Sequence, residues 1–199
     1  MNTDVMDSRP TYGGLRLDPR AKSHLVVVDG DGAPAVLDAF AGAEDELNRT
    51  TILCAHEDVA AGGLERLSAL RAARLQLSGS SEDVLTEFER VLDGADMSLR
   101  IYVAGRESFI GKVVASAALR GVVPDSVVAE RRGGASRRVQ CVHCKHIDED
   151  VTTSPYRCSG CGQHLLVRDH FSRRLAAFQG VRIDAEIPGE VPPAMELTS

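Results

Sequence analysis

The chain has 199 residues, with 23 basic against 29 acidic side chains and a formal net charge of −6. That length suits one medium domain with an appendage, and the acidic balance argues against nucleic acid as a partner. Five cysteines are too few and too regularly spaced for a disulfide framework, and no apolar run reaches membrane-spanning length.

The leading residues 1–22 carry Asp, Ser, Pro and a Gly-Gly pair and are expected to form a flexible N-terminal arm. Met1–Pro10 lacks the apolar stretch of a signal peptide, so the expected location is cytoplasmic. Residues 23–131 read as a parallel α/β domain. His24–Val28 is an apolar, β-branched run of the kind buried on both faces of a parallel sheet. It runs into Asp29-Gly-Asp-Gly-Ala-Pro34, a glycine-rich turn, and then a helical segment over 35–40. Thr50–Ala55 is a second strand, with Cys54 in the core. Leu64, Leu67 and Leu70 mark a helix face. Leu75 and Leu77 alternate with polar residues as a third strand. Ser81 is placed to cap a helix whose apolar stripe is Val84, Leu85, Phe88, Val91 and Leu92. Leu99–Ala104 is the fourth strand, broken at Gly105, and Ser108–Arg120 is a helix closed by Gly121. Val127–Ala129 is the last.

Alternating strands and helices imply a parallel sheet. In such folds ligands bind outside the carboxyl ends of the strands, where the strand order reverses. Gly30, Gly32 and Gly105 are therefore the candidate cofactor-binding residues, since backbone amides at a turn opening a helix can receive phosphate. A tight strand-to-helix turn needs the same glycines, and Asp29 and Asp31 place negative charge where a pyrophosphate would lie.

Residues 131–138, with four arginines among Gly and Ser, read as a short basic linker. Beyond it, residues 139–192 carry Cys141-Val-His-Cys144 and Cys158-Ser-Gly-Cys161, the spacing C-x2-C-x13-C-x2-C. Two such pairs can aim four thiolates at one point, which reads as a structural zinc site. Iron in a rubredoxin-like site wants the same four sulfurs, and His143, His146 or His164 could replace one of them. Four protein ligands leave no open position, so the metal is a staple of the fold. After the second pair, Val167-Arg-Asp-His-Phe-Ser-Arg-Arg174 predicts a strand and then a short helix capped by Ser172, with Leu175 and Phe178 on one face. His170, Phe171, Arg173 and Arg174 are the candidate partner-binding residues, since arginine and aromatic side chains anchor interfaces. An extended acidic stretch and a tail, residues 193–199, complete the chain.

Two resemblances follow from these motifs. Val28-Asp-Gly-Asp-Gly-Ala-Pro34, Tyr102-Val-Ala-Gly-Arg-Glu-Ser-Phe109 and Gly121-Val-Val-Pro-Asp-Ser-Val-Val-Ala-Glu130 resemble the nucleotide-binding half of the ferredoxin–NADP reductase superfamily. The first turn lacks that family's paired glycines, Ala104 stands at its cysteine position and Arg106 at its proline. The four cysteines, Val167–Arg174 and Asp184-Ala-Glu-Ile-Pro-Gly-Glu190 resemble the small, A-type subunit of bacterial dimethylamine monooxygenase. That resemblance implies a reductase-like, Rossmann-type domain followed by a zinc ribbon. It also implies membership of an NAD(P)H- and O2-dependent oxygenase of secondary amines, beside a haem oxygenase subunit and a flavin, iron–sulfur reductase subunit. The expectation is an accessory or electron-supply docking subunit that carries no oxygen chemistry itself and binds neither nucleic acid nor membrane. The alternative is an NAD(P)H-binding electron-transfer protein acting directly in the reductase chain.

Overall fold

The computed structural model describes residues 9–57 and 59–198. The first eight residues of the expected arm, Asp58 and the last residue of the tail lie outside the described residues. The chain divides into two compact units. One is Tyr12–Gly133; the other gathers Gly134–Ser199 with the leading segment Met1–Thr11, of which residues 9–11 are described.

The first unit is built on five parallel strands: β1 (Ser23–Val28), β2 (Thr50–Ala55), β3 (Arg74–Ser78), β4 (Leu99–Gly105) and β5 (Val127–Arg131), in the order β3-β2-β1-β4-β5. This is five-sixths of the doubly wound order, and the order reverses between β1 and β4. Alternate residues of each strand serve opposite faces. Leu25, Val27, Leu53, Ile101 and Val103 meet helices α4 (Ser81–Leu92) and α5 (Glu107–Leu119) through Val84, Phe88, Phe109, Ile110 and Val113. Val26, Val28, Ile52, Tyr102 and Ala104 face α1 (Ala33–Ala39), α2 (Glu44–Leu47) and α3 (Gly63–Ala69) through Val36, Phe40, Leu47 and Leu67. Covering on both faces is why β1 needs an unbroken apolar run.

Helix α4 starts one residue from its expected cap. Ser80, in extended backbone, accepts from the Asp83 amide at 3.2 Å, and the Asp83 carboxylate accepts from the Ser80 amide at 3.1 Å. This reciprocal capping box fixes the first turn.

Part of the expected arm is fastened to this unit. Leu15 and Leu17 pack on the second face of the sheet, the Leu15 amide donates to Glu130 at 2.8 Å, and the Asp18 amide donates to the Tyr102 hydroxyl at 3.0 Å. Tyr102 also meets Nδ1 of buried His24 at 3.2 Å, while Arg49 donates to His24 Nε2 at 3.3 Å. Arginine can only donate, so the neutral ring carries its proton on Nδ1 and donates it to Tyr102. Burial, with Arg49 nearby, holds the His24 pKa below its ordinary value.

The second unit is a five-stranded sheet in the order β7-β6-β11-β10-β9: β6 (Arg137–Cys141), β7 (Ile147–Val151), β9 (Tyr156–Arg157), β10 (His164–Ser172) and β11 (Ala177–Arg182). Strands β6 and β11 run parallel; the other neighbours are antiparallel. A two-stranded ladder of β8 (Thr153–Ser154) and β12 (Met195–Glu196) folds the tail back onto this unit. The short helix expected after Ser172 is a hairpin instead. Phe171 pairs with Phe178 and Ser172 with Ala177. The Ser172 hydroxyl accepts from the Leu175 amide at 3.3 Å, closing a single turn, and Ala176 takes a left-handed φ of 50°. The serine signal was that of a local side-chain turn, which precedes either structure.

The basic linker is shorter than expected. Arg131 ends β5 and Arg137 opens β6, where it is 4 % exposed. Among the described residues, no helix is long and apolar enough to cross a membrane.

Candidate functional site

Each cysteine pair sits in the same backbone knuckle. In the first, the Cys141 amide donates to the His146 carbonyl at 2.9 Å and the Lys145 amide to the Cys141 carbonyl at 3.0 Å. In the second, the Cys158 amide donates to the Gln163 carbonyl and the Gly162 amide to the Cys158 carbonyl, both at 2.9 Å. The residue after the second cysteine turns left-handed in both, Lys145 with φ 65° and Gly162 with φ 75°. These matched turns bring the four sulfurs together. Cys141 Sγ lies 3.8 Å from Cys161 Sγ, Cys144 Sγ lies 3.7 Å from Cys158 Sγ, and all four are within 4.8 Å of one another. A tetrahedron of sulfurs around zinc at about 2.3 Å has edges of about 3.8 Å, so the donor set fits a tetrahedral ion. Burial pushes the Cys158 thiol up to about 12, and thiolates this close together repel one another unless a cation lies between them.

The flanking histidines are not at this point. His146 meets the Ser159 hydroxyl at 2.8 Å through Nε2, and Ser159 donates to Asp148, which also accepts from the Tyr156 hydroxyl at 3.1 Å. This chain ties the first knuckle to the second. Gly160 permits it: a Cβ there would come within 2.7 Å of His146 Cβ and 3.2 Å of Cys144 Sγ. His143 and His164 are exposed. Cys54 lies apart, buried in β2, its thiol pushed up to about 12 by burial and by Asp29.

Strand β10 leads out of the second knuckle and carries the candidate partner residues. A register shift between Arg168 and Phe171 marks a bulge, which re-aims the side chains within it. Asp169 pairs with buried Arg137 at 2.9 Å. The Arg137 guanidinium lies 4.4 Å over the ring of Phe178, and Phe171 meets Phe178 edge-on with centroids 5.0 Å apart. Phe171 therefore supports the hairpin from inside as well as flanking its tip. His170, Arg173 and Arg174 are exposed, the two arginines in the turn between β10 and β11. Arg137 was read as linker, and nothing local marks it: its partners lie 32 and 41 residues along the chain. The Asp184–Glu190 segment is organised by Asp184, which accepts from Arg182 at 2.7 Å and from the Gly189 amide at 2.9 Å; the Arg182 hydrogen bond holds its carboxyl well below the ordinary range.

At the other candidate site, the turns after β1 and β4 lie side by side. Asp29 does not face outward. Its carboxylate is buried, with Oδ1 accepting from the Gly32 amide at 3.2 Å and Oδ2 from the Arg106 amide at 3.0 Å and Nε at 3.3 Å. Burial pushes this carboxyl above its ordinary range, against the lowering by Arg106. Asp31 is half-exposed, 4.0 Å from Arg106 Nε. A Cβ on Gly32 would meet the Ala104 carbonyl oxygen at 2.2 Å, and one on Gly105 would meet Asp29 Oδ1 at 2.2 Å. Gly30 is buried in the turn between them. The residues present there do not fit a pyrophosphate: the Gly32 and Arg106 amides already donate to the protein's own carboxylate, and Asp31 adds a second negative charge beside it.

A family model described as "Dimethylamine monooxygenase subunit DmmA-like, N-terminal domain" matches residues 4–127, and its C-terminal counterpart matches residues 138–181. Among curated proteins the chain is similar to the heme-dependent oxidative N-demethylase delta subunit of Ectopseudomonas mendocina (strain ymp), 30% identical over 183 residues, which is 91% of each chain. Among solved structures it is similar to phthalate dioxygenase reductase (16% identity, TM-score 0.40, 68% of this chain and 47% of that one). It is also similar to the flavohemoglobin of Malassezia yamatoensis (14% identity, TM-score 0.41, 60% of this chain and 33% of that one). The chain spans less than half of either solved structure.

Proposed function

The chain belongs to the DmmA-like family of dimethylamine monooxygenase subunits, and from that membership we propose that it is the accessory docking subunit of such an oxygenase. On this reading Cys141, Cys144, Cys158 and Cys161 hold a structural zinc. The ion supplies folding energy and no chemistry, because all four positions around it are filled by protein sulfur. The oxygen chemistry belongs to a haem subunit and the electrons come from a flavin, iron–sulfur reductase subunit; this chain brings the two together in the cytoplasm.

The observation that carries the reading is the hairpin rooted on the metal site. Strand β10 begins at His164, three residues after Cys161, and ends at the exposed Arg173–Arg174 turn. Nine extended residues span about 30 Å, so the knuckles hold the root of a long lever whose tip presents two cations. Asp169, Arg137, Phe178 and Phe171 stiffen that lever along its length. A rigid platform lowers the ordering cost of binding, and arginine beside an aromatic ring is a frequent anchor. His170 and Phe171 complete the surface.

The test is Arg173→Ala with Arg174→Ala in the full chain, measuring thermal stability and co-purification with the haem and reductase subunits. Both side chains are exposed and far along the strand from the sulfurs, so the melting temperature is expected to stay put. Truncating an anchor costs about 2 kcal/mol or more, about thirtyfold in affinity, and co-purification is expected to be lost. Retained assembly, or a fall in stability, contradicts the docking role of this tip.

A further inference from the structure

We infer that Asp29 is a built-in anion: its carboxylate occupies the place in the β1–β4 crevice where folds of this strand order receive a ligand's phosphate, so the α/β unit is closed without a nucleotide. This reaches beyond the docking role of the hairpin and stands without it, since it concerns the other unit and rests on different residues.

The crevice outside the carboxyl ends of β1 and β4 is the switch point of the sheet. Ligand phosphates are held at such a point by backbone amides of the turns and by helix starts. Here both turns are spent on an internal group. Gly32 sits at the entry to α1 and Arg106 at the entry to α5, and the amide of each reaches a separate oxygen of the one carboxylate, the Gly32 amide being shared with the Asp29 main-chain carbonyl at 3.0 Å. The Arg106 side chain closes on the same Oδ2 at 3.3 Å. All the groups that these contacts aim at the two oxygens are donors, which is what a buried anion requires.

The glycines have the same logic. A glycine that clears room for a ligand has open space where its Cβ would be. A Cβ on Gly105 would lie 2.2, 2.4 and 2.6 Å from the carboxylate atoms of Asp29, so Gly105 clears room for Asp29. Gly32 presses against the backbone of β4, with the Ala104 oxygen 2.2 Å from its missing Cβ. The two turns are thus drawn together by groups already in the chain. Asp31 adds a second carboxylate beside the first; a Cβ on Gly133 would lie 2.5 Å from Asp31 Oδ2. An incoming pyrophosphate would have to displace one carboxylate from its donors and approach another of like sign.

The consequence is functional. The two turns are tied to each other through the chain's own carboxylate, so the surface of the α/β unit does not vary with the NAD(P)H supply.

The experiment uses the full chain and inorganic phosphate as probe, with chloride at equal ionic strength as reference. In the wild type, phosphate is expected to leave the melting transition of the α/β unit unmoved, and NADPH to give no calorimetric binding at micromolar concentration. Asp29→Ala removes the internal anion and empties its place. Its transition is expected to fall by about 10 °C and to recover by about 3 °C or more when phosphate fills the vacated donors. A transition as high as wild type in Asp29→Ala, or no phosphate-specific recovery, overturns the inference. If that variant does not fold, the amide resonances of Gly32 and Arg106 in the wild type decide the matter. They are expected to stay fixed on titration with NADPH, and their movement with saturable binding overturns it.

Discussion

Replacing Cys158 with serine, or stripping the metal with a chelator, is expected to unfold the four-cysteine unit while the α/β unit stays folded. The second unit has little else to hold it. Among the described residues its buried apolar groups are two small sets, one of Val139, Val151, Val167 and Phe178 and one of Leu165 with the sulfurs of Cys141 and Cys158, beside Ala176 and Ala177. A core of that size contributes only a few kcal/mol net. A structural zinc contributes on the order of 10–16 kcal/mol of apparent binding energy at neutral pH, all of which becomes folding energy when the unfolded chain cannot assemble the site. The α/β unit has its own two-faced core, centred on residues such as Phe88, Tyr102 and Phe40, and needs no such staple. In a heteronuclear spectrum the resonances of β6, β10 and β11 are expected to collapse to random-coil positions while those of β1, β2 and β4 persist. A second unit that stays folded without metal contradicts the staple. Elemental analysis is expected to give one zinc per chain; iron with a visible thiolate charge-transfer band contradicts the choice of ion.

Gly32→Ala is expected to destabilise the α/β unit by about 3 kcal/mol or more, a fall of about 10 °C in its transition. The reason is space, not conformation. Gly32 has φ −80° and ψ −15°, which any residue adopts. Its missing Cβ, however, would lie 2.2 Å from the Ala104 oxygen, 2.4 Å from the Ala104 carbonyl carbon and 2.8 Å from the Gly105 nitrogen. Those are backbone atoms of the central strand β4, and no rotamer change removes them, so either the turn lifts or the strand bends. Lifting the turn also breaks the hydrogen bond from the Gly32 amide to Asp29. Gly13→Ala is the control, since it lies in the same unit and the space around its Cβ is open. Matched thermal melts of the two variants check the point, and a Gly32→Ala variant melting with the control contradicts the close approach of the two turns.

The features that were legible in the sequence are those whose causes are local. The four cysteines announce their site because each knuckle closes within five residues, from Cys141 to His146 and from Cys158 to Gln163. Strand β2 matches its expected bounds, Thr50–Ala55, because an unbroken apolar run needs only cover on both faces. Helix α4 was found by its stripe, while its cap fell one residue early, since two adjacent serines differ only in which one Asp83 answers. The misreadings have distant causes. Leu175 and Phe178 have helical spacing, but Phe178 is claimed by Val139, its partner in β6, and by Phe171 across the hairpin. Arg137 looked like linker until Asp169 and Phe178 closed over it. Asp29 was expected to face a pyrophosphate. Its orientation is decided by Arg106, 77 residues further on, and a local reading of the turn contains no sign of that partner. Helix α2 is a single turn of four residues, too short for any periodicity to show.

Isolation of the intact complex through a tag on this chain tests its docking role most directly. The chain is co-expressed with the haem and reductase subunits proposed as its partners, and the eluate is examined for both and for NAD(P)H-dependent demethylation of dimethylamine. Both partners are expected to co-elute with the wild-type chain. Turnover is expected to fall when the chain is withheld, although the chain alone is expected to bind no NAD(P)H. A tagged chain that elutes alone, while the remaining subunits turn over at full rate without it, contradicts its role as the subunit that brings them together.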